Sequence, residues 1–209
     1  MSKFALRVPA ISTIGIAALG LLLATRPAAA VVINFDNLGN GVVVTNQYPE
    51  AAFSSDPGEV VLTSAQVPPY QTSAPNFICT GTSSIDCTHD VFVKFTNPVN
   101  NLTFNSTGAD NAGPAQANVD VFVGNTLVGS VSIPGIGQVH TAQFIDLSAF
   151  HNVTSIEIDK VIDPAGLAYD DFTFTVAGSV PELATWAMML LGFGLVGVQL
   201  RRRNDAAAV

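Results

Sequence analysis

The central part of the chain has almost no basic residues. The 209-residue sequence carries 8 Lys and Arg against 16 Asp and Glu. Six of the eight basic residues lie near the two ends, so residues 31–179 keep two basic and fourteen acidic residues, a net charge of −12. Nucleic acids and anionic lipids are bound through basic surfaces. The charge therefore excludes electrostatic binding to either, and no nucleic-acid partner is expected.

The chain also lacks the short motifs that are typical of enzymes. It contains no G-x-S-x-G elbow, no H-E-x-x-H, no phosphate-binding glycine loop and no Cys–His nucleophile signature. His89, His140 and His151 are scattered, and fourteen acidic residues cannot select the carboxylate pair of a glycosidase. We therefore expect a protein that is not an enzyme, with a glycoside hydrolase as the least favoured alternative.

Helical periodicity is missing from residues 31–179, where short alternating segments occur instead. In one of them Val91, Val93 and Phe95 share a face, and Lys94 lies on the opposite face. About ten such segments, separated by turn residues, predict an all-β fold. We expect an antiparallel β-sandwich, jelly-roll-like, with almost no helix outside the two ends.

Two connections in this fold have distinct sequence signals. Gly124 and Asn125, between two alternating segments, predict a two-residue hairpin loop of type II′. Residues 65–88 contain three prolines and many Ser and Thr residues, which disfavour a regular strand. That stretch is therefore predicted to be one long loop.

The only two cysteines, Cys79 and Cys87, lie in this predicted loop. A disulfide between them would close a loop of nine residues and stabilise the fold by about 2.5 kcal/mol on the chain-entropy estimate. The alternative, that the cysteines are two ligands of a metal site, lacks the other two ligands that zinc needs. We expect the disulfide.

The first 30 residues are typical of a secretory signal peptide. Lys3 and Arg7 provide a positive start, residues 11–24 an apolar segment, and Ala28 and Ala30 the small residues of a cleavage site. We expect cleavage after Ala30 and export of the chain beyond it. Export also favours the disulfide, since disulfides persist outside the cytoplasm.

An apolar run ends in a basic cluster at the other end of the chain. Residues 184–200 are apolar except for two polar residues, with Trp186 near the start. Seventeen residues are about the minimum for a helix that spans a bilayer. Arg201, Arg202 and Arg203 come directly after the run and favour the cytoplasmic side. This predicts a C-terminal transmembrane helix, and a buried core helix is the alternative.

The residues around this run resemble a known sorting signal. Pro181 and Glu182, then Trp186-Ala-Met-Met, a glycine-rich apolar stretch and the terminal arginines resemble the PEP-CTERM signal in its PEPxxWA form. Leu183 stands where the second proline of that signal is expected. The resemblance covers residues 180–203 and leaves 204–209 as a short cytoplasmic tail.

This resemblance implies how the protein is exported and which protease processes it. Proteins with such tails are exported by exopolysaccharide-producing Gram-negative bacteria, and exosortase, a membrane-embedded protease, is thought to remove the tail. It therefore implies an inner-membrane precursor, processing by an exosortase-type protease and delivery to the cell surface or the exopolysaccharide matrix. A plain C-terminal membrane anchor is the alternative.

Three aspartates near the ends of the predicted sandwich are candidate metal ligands. Asp36 comes after the first strand, and Asp170 and Asp171 lie in the last. Domain termini tend to lie close together, and grouped carboxylates suit Ca²⁺. These segments also resemble the F-D-x-L opening and D-D-F-x-F ending of exported bacterial sandwich domains of the carbohydrate-binding or lectin-like type, which implies a structural calcium. In the alternative, the alternation of the last strand places one of Asp170 and Asp171 in solvent and the other at a strand end.

The expected function is a structural or adhesive role at the cell surface or in the matrix, with a carbohydrate-binding module as the alternative. Sugar platforms usually need exposed aromatic rings, and residues 31–179 contain no Trp. Tyr70 and Tyr169 are therefore the candidate sugar contacts, and Tyr70 in the proline-rich segment is expected to be the more exposed.

Overall fold

Ten antiparallel strands account for nearly all regular structure in the part of the chain that the computed structural model describes, which is residues 29–65, 70–82, 84–138, 140–178 and 191–194. The strands are β1 (Ala30–Ile33), β2 (Ala51–Ser55), β3 (Val60–Ser64), β4 (Phe77–Gly81), β5 (Val91–Thr107), β6 (Gly113–Val123), β7 (Thr126–Gly135), β8 (Gln143–Asp146), β9 (Val153–Asp159) and β10 (Ala168–Val176). All of them lie within the compact unit of residues 27–180.

Strand β5 takes part in two layers of strands. Its first five residues, Val91 to Phe95, pair with β2 on one side and β9 on the other, and β6 and β7 continue beyond β9. Its second half pairs with β8 and β10, and β4, β3 and β1 lie beyond β10. We call the first layer sheet I and the second sheet II. The 17-residue β5 therefore joins the two sheets by continuous hydrogen bonding.

The inner faces of the two sheets pack together around one apolar core. Phe53 of sheet I meets Phe172 of sheet II with ring centroids 5.7 Å apart, and Phe95 meets Phe174 at 5.0 Å. Val91 and Val93 of β5 are buried in the same cluster, as the alternating pattern predicts. This face-to-face packing confirms the predicted β-sandwich, whereas the jelly-roll connectivity stays a prediction.

The predicted hairpin is confirmed. Val123 pairs with Thr126, so that Gly124 and Asn125 form a two-residue loop. Gly124 has φ of 61°, and Asn125 does not have a positive φ. Positive φ at the first loop residue alone is the pattern of a type II′ turn.

The prediction of one loop over residues 65–88 is wrong in its middle. Strand β4 (Phe77–Gly81) crosses it, with all five residues buried, and pairs with β3 and β10. The three prolines all precede this strand, so they do not interrupt its hydrogen bonding. Residues 77–80, Phe-Ile-Cys-Thr, favour a strand. The prolines and the many Ser and Thr residues around them favour a loop, and the prediction followed those residues.

The predicted disulfide is confirmed. Cys79 of β4 is bonded to Cys87, with their Cα atoms 4.8 Å apart. Cys79 is fully buried against Phe77 and Ala168, in a small apolar cluster outside the main core. The disulfide therefore fixes the segment after β4 to the sandwich.

Several predictions concern residues outside the described part of the chain. They include the signal peptide up to Ala28, the apolar run apart from residues 191–194, and the sorting residues Pro181, Glu182, Trp186, Arg201, Arg202 and Arg203. Residues 191–194 form one helical turn. Among the residues that the structure describes, no helix has both the length and the apolar character needed to cross a bilayer. Ala30, the last residue of the predicted signal peptide, begins β1 and pairs with Thr175.

We predict that the core depends strongly on Phe172. Its ring contacts those of Phe35, Phe53 and Phe104, so Phe172→Ala removes contacts in both sheets. The expected loss is about 3–5 kcal/mol in the free energy of unfolding, measured by urea denaturation. Phe144→Ala is the control, because this side chain is 66% exposed and its loss should change stability by less than about 0.5 kcal/mol. Equal effects of the two substitutions would contradict this description of the core.

Candidate functional site

The first and last strands are neighbours, which confirms the expected meeting of the two ends of the sandwich. Ile33 of β1 pairs with Phe172 of β10. Asp36 lies just after β1, and Asp170 and Asp171 lie within β10, so all three predicted ligands belong to this region of sheet II.

A β-bulge in β10 determines where its two aspartates point. Asp170 pairs with Asn105 and Thr173 with Thr103, so β10 has one more residue than β5 over this interval. Asp171 adopts a positive φ of 53° at the bulge. The extra residue lets both Tyr169 and Phe172 face the core, although they are three positions apart. Asp170 and Asp171 are thereby turned towards residues 70–76.

The carboxylate of Asp170 is buried and binds the neighbouring backbone. Its Oδ2 accepts hydrogen bonds from the N–H groups of Thr72 and Ser73, both at 2.9 Å, and its Oδ1 accepts one from the N–H of Asp171 at 2.8 Å. Burial raises the pKa of Asp170 to about 6, and the charge of Asp171 also raises it. The backbone N–H groups act in the opposite direction because they stabilise the ionised form.

The other two aspartates bind the same segment. Asp171 Oδ2 accepts hydrogen bonds from the Thr72 hydroxyl at 2.6 Å and from the Asn105 amide at 3.2 Å. Asp36 Oδ1 accepts one from the N–H of Asn76 at 3.0 Å. The three aspartates therefore fix residues 72–76 to the edge of the sandwich.

These hydrogen bonds use oxygens that a calcium ion would need. Within the described ranges, a single set of three or more His, Cys, Asp or Glu residues has ligand atoms all within 4.8 Å of one another. That set consists of Glu59, Asp86 and His89, not the three predicted aspartates. Calcium binding at Asp36, Asp170 and Asp171 stays a prediction.

The two tyrosines predicted to contact sugar differ in their surroundings. Tyr169 is 1% exposed and packs edge-on against Phe104, so its selection as a sugar contact is wrong. The bulge in β10 turns this side chain inwards, which strict alternation does not anticipate. Tyr70 is half-buried, with its ring 5.9 Å from Phe77 and 4.5 Å from His140. Tyr70 keeps part of its surface accessible.

The outer face of sheet I carries a cleft that sequence reasoning missed. Two adjoining cavities of about 420 Å³ each lie over β2, β5, β6 and β9. Phe92 and Phe122, both half-buried, contribute aromatic surface, and Lys94, Ser155 and Glu157 contribute polar groups. Phe92 pairs with Glu157, and Lys94 with Ser155, so these side chains form adjacent rows across the sheet. We call this surface the outer cleft.

The signal for Phe92 was present in the sequence. Lys94 was placed on the outer face by alternation, and Phe92 is two residues away on the same strand. Only tyrosines are named as candidate sugar contacts from the sequence, so an aromatic residue beside a cation was overlooked. Burial raises the pKa of the nearby Glu157, and the charges of Asp159, Asp90 and Asp120 raise it further.

A second polar group lies at the end of the sandwich next to the disulfide. His89 is close to three carboxylates: its Nδ1 lies 3.6 Å from Asp56, and its Nε2 lies 3.8 Å from Glu59 and 3.6 Å from Asp86. We call these four residues the His89 cluster. Its members are up to 33 positions apart in the sequence. The cluster is therefore recognised only once the pairing of the strands between them is known.

Comparisons with known proteins give similarities in structure alone. No protein-family model and no curated protein matches the chain. Among solved structures, the K2 cleaved adhesin domain of Lys-gingipain is 14% identical with a TM-score of 0.47, covering 71% of this chain and 100% of that domain.

A xylan-binding CBM22 domain from Paenibacillus barcinonensis Xyn10C is 13% identical with a TM-score of 0.43, covering 75% of this chain and 100% of that one. A variant of a family 29 carbohydrate-binding module is 14% identical with a TM-score of 0.32, covering 71% and 93% respectively. At such identities and scores, these similarities carry no argument about the ligand of this chain.

We predict that Asp170 makes stability depend on pH. Because its pKa is raised to about 6, the folded state favours the protonated carboxyl, and this contribution is lost as the pH rises through 6. Between pH 5 and 7, in EDTA, the melting temperature of the wild type should therefore fall more steeply than that of Asp170→Asn.

Asp146→Asn is the matched control, since it removes the same charge from an exposed site. Hydrogen bonds from Ser148 lower the pKa of Asp146, so this group does not titrate between pH 5 and 7, and the variant should keep the wild-type slope. An unchanged slope in Asp170→Asn, measured by circular dichroism, would contradict the prediction.

Proposed function

We propose that this chain is an exported protein with a structural or adhesive role at the cell surface or in an exopolysaccharide matrix, and that it is not an enzyme. The observation that carries the proposal is the Cys79–Cys87 disulfide. Disulfides persist in oxidising compartments, so this bond supports a location outside the cytoplasm. The signal-peptide pattern in the first 30 residues supports the same location independently.

The C-terminal signal supplies the proposed route. The order of Pro181, Glu182, Trp186 and the three arginines supports PEP-CTERM-type sorting through the inner membrane, with an exosortase-type protease as partner. Removal of this tail would release a strongly acidic domain from the membrane. A net charge of −12 keeps such a domain soluble in a crowded exterior.

One close pair of carboxylates, Asp110 and Asp163, does not support the glycosidase alternative. Asp110 and Asp163 form a close pair, and a hydrogen bond between their side chains raises the pKa of Asp110, after the larger effects of burial and of the Asp163 charge. The two carboxyl groups of a glycosidase are about 5–9.5 Å apart, which leaves room for the sugar and water. Asp110 and Asp163, whose side chains are hydrogen-bonded, do not leave that room, so this pair is not a glycosidase pair.

A second candidate function is carbohydrate binding at the outer cleft. Two aromatic rings, Phe92 and Phe122, line it together with Lys94, Ser155 and Glu157. Sugar rings have apolar faces that pack on aromatic side chains, and their hydroxyl groups pair with polar side chains. The cleft has one cation in an acidic domain, so we propose a neutral glycan as its ligand.

The sorting proposal predicts how the released protein ends. In a host with an exosortase-type protease, surface-released material should lack Trp186, and its two cysteines should resist alkylation until they are reduced. Glu182→Ala should prevent release because it alters the recognised motif. Leu183→Ala, at the position that already departs from the motif, is the control and should be released normally.

Intact-mass spectrometry decides between the outcomes. Released protein that retains Trp186 would contradict processing, and full-length protein that stays in the cytosol would contradict export.

The carbohydrate proposal predicts loss of glycan binding from the outer cleft. On a glycan array, Phe92→Ala and Phe122→Ala should each weaken binding of a neutral glycan about tenfold, since each removes a packing surface worth about 1.4 kcal/mol. Phe144→Ala, with its exposed side chain on sheet II, should bind as the wild type does. Absence of binding, or loss only in Phe144→Ala, would refute a glycan site in the cleft.

A further inference from the structure

We propose that Glu59, Asp86 and His89 bind a divalent transition-metal ion of the zinc type, with Asp56 orienting the histidine. Glu59 lies in the turn between β2 and β3, whereas Asp86 and His89 lie after β4 and flank Cys87. This site is separate from the aspartates predicted to bind calcium and from the outer cleft. A negative result for this metal site would therefore leave the proposed function unaffected.

The distances in the His89 cluster suit a shared ion better than direct hydrogen bonds. His89 Nε2 lies 3.8 Å from Glu59 Oε1 and 3.6 Å from Asp86 Oδ2. Both distances exceed the usual range for a hydrogen bond between nitrogen and oxygen. Ligands about 2.0–2.1 Å from a tetrahedral zinc ion lie roughly 3.4 Å from one another. All three ligand atoms lie within 4.8 Å of one another, so an inward movement of the side chains would be needed to place them around one ion.

The other nitrogen of the imidazole supplies an independent indication. His89 Nδ1 faces Asp56 Oδ2 at 3.6 Å. A histidine that binds a metal almost always directs its second ring nitrogen to a carboxylate or carbonyl, which fixes the tautomer and the orientation of the ring. Asp56 is the carboxylate nearest that nitrogen, but 3.6 Å is also longer than a hydrogen bond, and its Oδ2 accepts one from the N–H of Asp90 at 3.3 Å. The orienting contact would therefore form only when the imidazole moves onto an ion.

The backbone around the proposed ligands is held in place before any ion binds. Asp86 Oδ1 accepts a hydrogen bond from the N–H of Thr88 at 3.2 Å, which leaves Oδ2 to face His89. The N–H of His89 donates to the Thr80 hydroxyl at 3.1 Å. The disulfide of Cys87 joins this segment to β4. These contacts hold the backbone around Asp86 and His89 against β4.

Glu59 is the most buried of the four residues. Its side chain is 16% exposed, and its Oε2 is buried without a hydrogen-bond partner among the described residues. A buried carboxylate oxygen without a partner is costly. The oxygen that faces His89 is Oε1, so a cation would offset this cost by neutralising the carboxylate as a whole or by binding both of its oxygens.

The donor set selects the class of metal. One imidazole and two carboxylates suit zinc and neighbouring transition metals, whereas Ca²⁺ prefers sites made entirely of oxygen ligands. His89 and Asp86 are 38% and 45% exposed, so an ion has access from solvent. Three protein ligands leave a position for water or for an oxygen of a polymer or partner protein.

The test measures Zn²⁺ binding by calorimetry to the full-length chain, purified in detergent and freed of metal with a chelator. We expect one saturable site per chain, weakened at least about 100-fold in His89→Gln and in Glu59→Gln. Asp56→Asn should weaken binding by about 10-fold, the effect expected of a residue that orients a ligand. His151→Gln, which replaces an exposed histidine elsewhere, is the control and should bind as the wild type does.

Co²⁺ substitution and X-ray absorption identify the ligands directly, and the expected spectrum shows a single imidazole with oxygen neighbours. Circular dichroism establishes that each variant remains folded, and Glu59→Gln keeps the test decisive if His89→Gln does not fold. Unchanged affinity in both variants, no saturable binding, or a preference for Ca²⁺ over Zn²⁺ would overturn the proposal and leave the cluster as an ordinary group of ion pairs.

Discussion

The packing of the β10 phenylalanines between the two sheets is the constraint on which the rest of the structure depends. Phe172 stacks on Phe104 at 5.0 Å within sheet II and meets Phe53 of sheet I at 5.7 Å. Burying one such ring contributes about 1.5–3 kcal/mol. Because Phe172 must face inwards and Tyr169 does so as well, β10 needs its bulge. The bulge in turn directs Asp170 and Asp171 towards residues 70–76.

The aspartates of β10 show how packing in the core determines which side chains bind the neighbouring segment outside it. Asp170 is buried because the neighbouring segment covers it, and that segment lies there because the N–H groups of Thr72 and Ser73 bind the carboxylate. Burial and hydrogen bonding therefore act on the pKa of Asp170 in opposite directions, and burial has the larger effect. The half-buried Tyr70 precedes this segment, and its carbonyl accepts a hydrogen bond from the Thr107 hydroxyl at 2.5 Å.

The parts predictable from sequence are those governed by local alternation. Alternation in β5, the turn at Gly124 and the proximity of the two cysteines all depend on neighbours in sequence, and the structure confirms each. The orientation of Tyr169 was not predictable, because it depends on a β-bulge that no local residue pattern indicates. The His89 cluster was not predictable either, since strand pairing brings its members together. The outward orientation of Phe92 was predictable in principle, because Phe92 lies two residues from Lys94 on the same strand.

The surplus of acidic residues is distributed into distinct environments. Asp36, Asp170 and Asp171 bind backbone or hydroxyl donors, so their charge is neutralised in part by the fold itself. In the His89 cluster, by contrast, three carboxylates face a single imidazole. If solubility were the only purpose of these charges, repulsion would favour spreading them apart. Their convergence on a histidine beside the Cys79–Cys87 disulfide is the arrangement on which the proposed metal site rests.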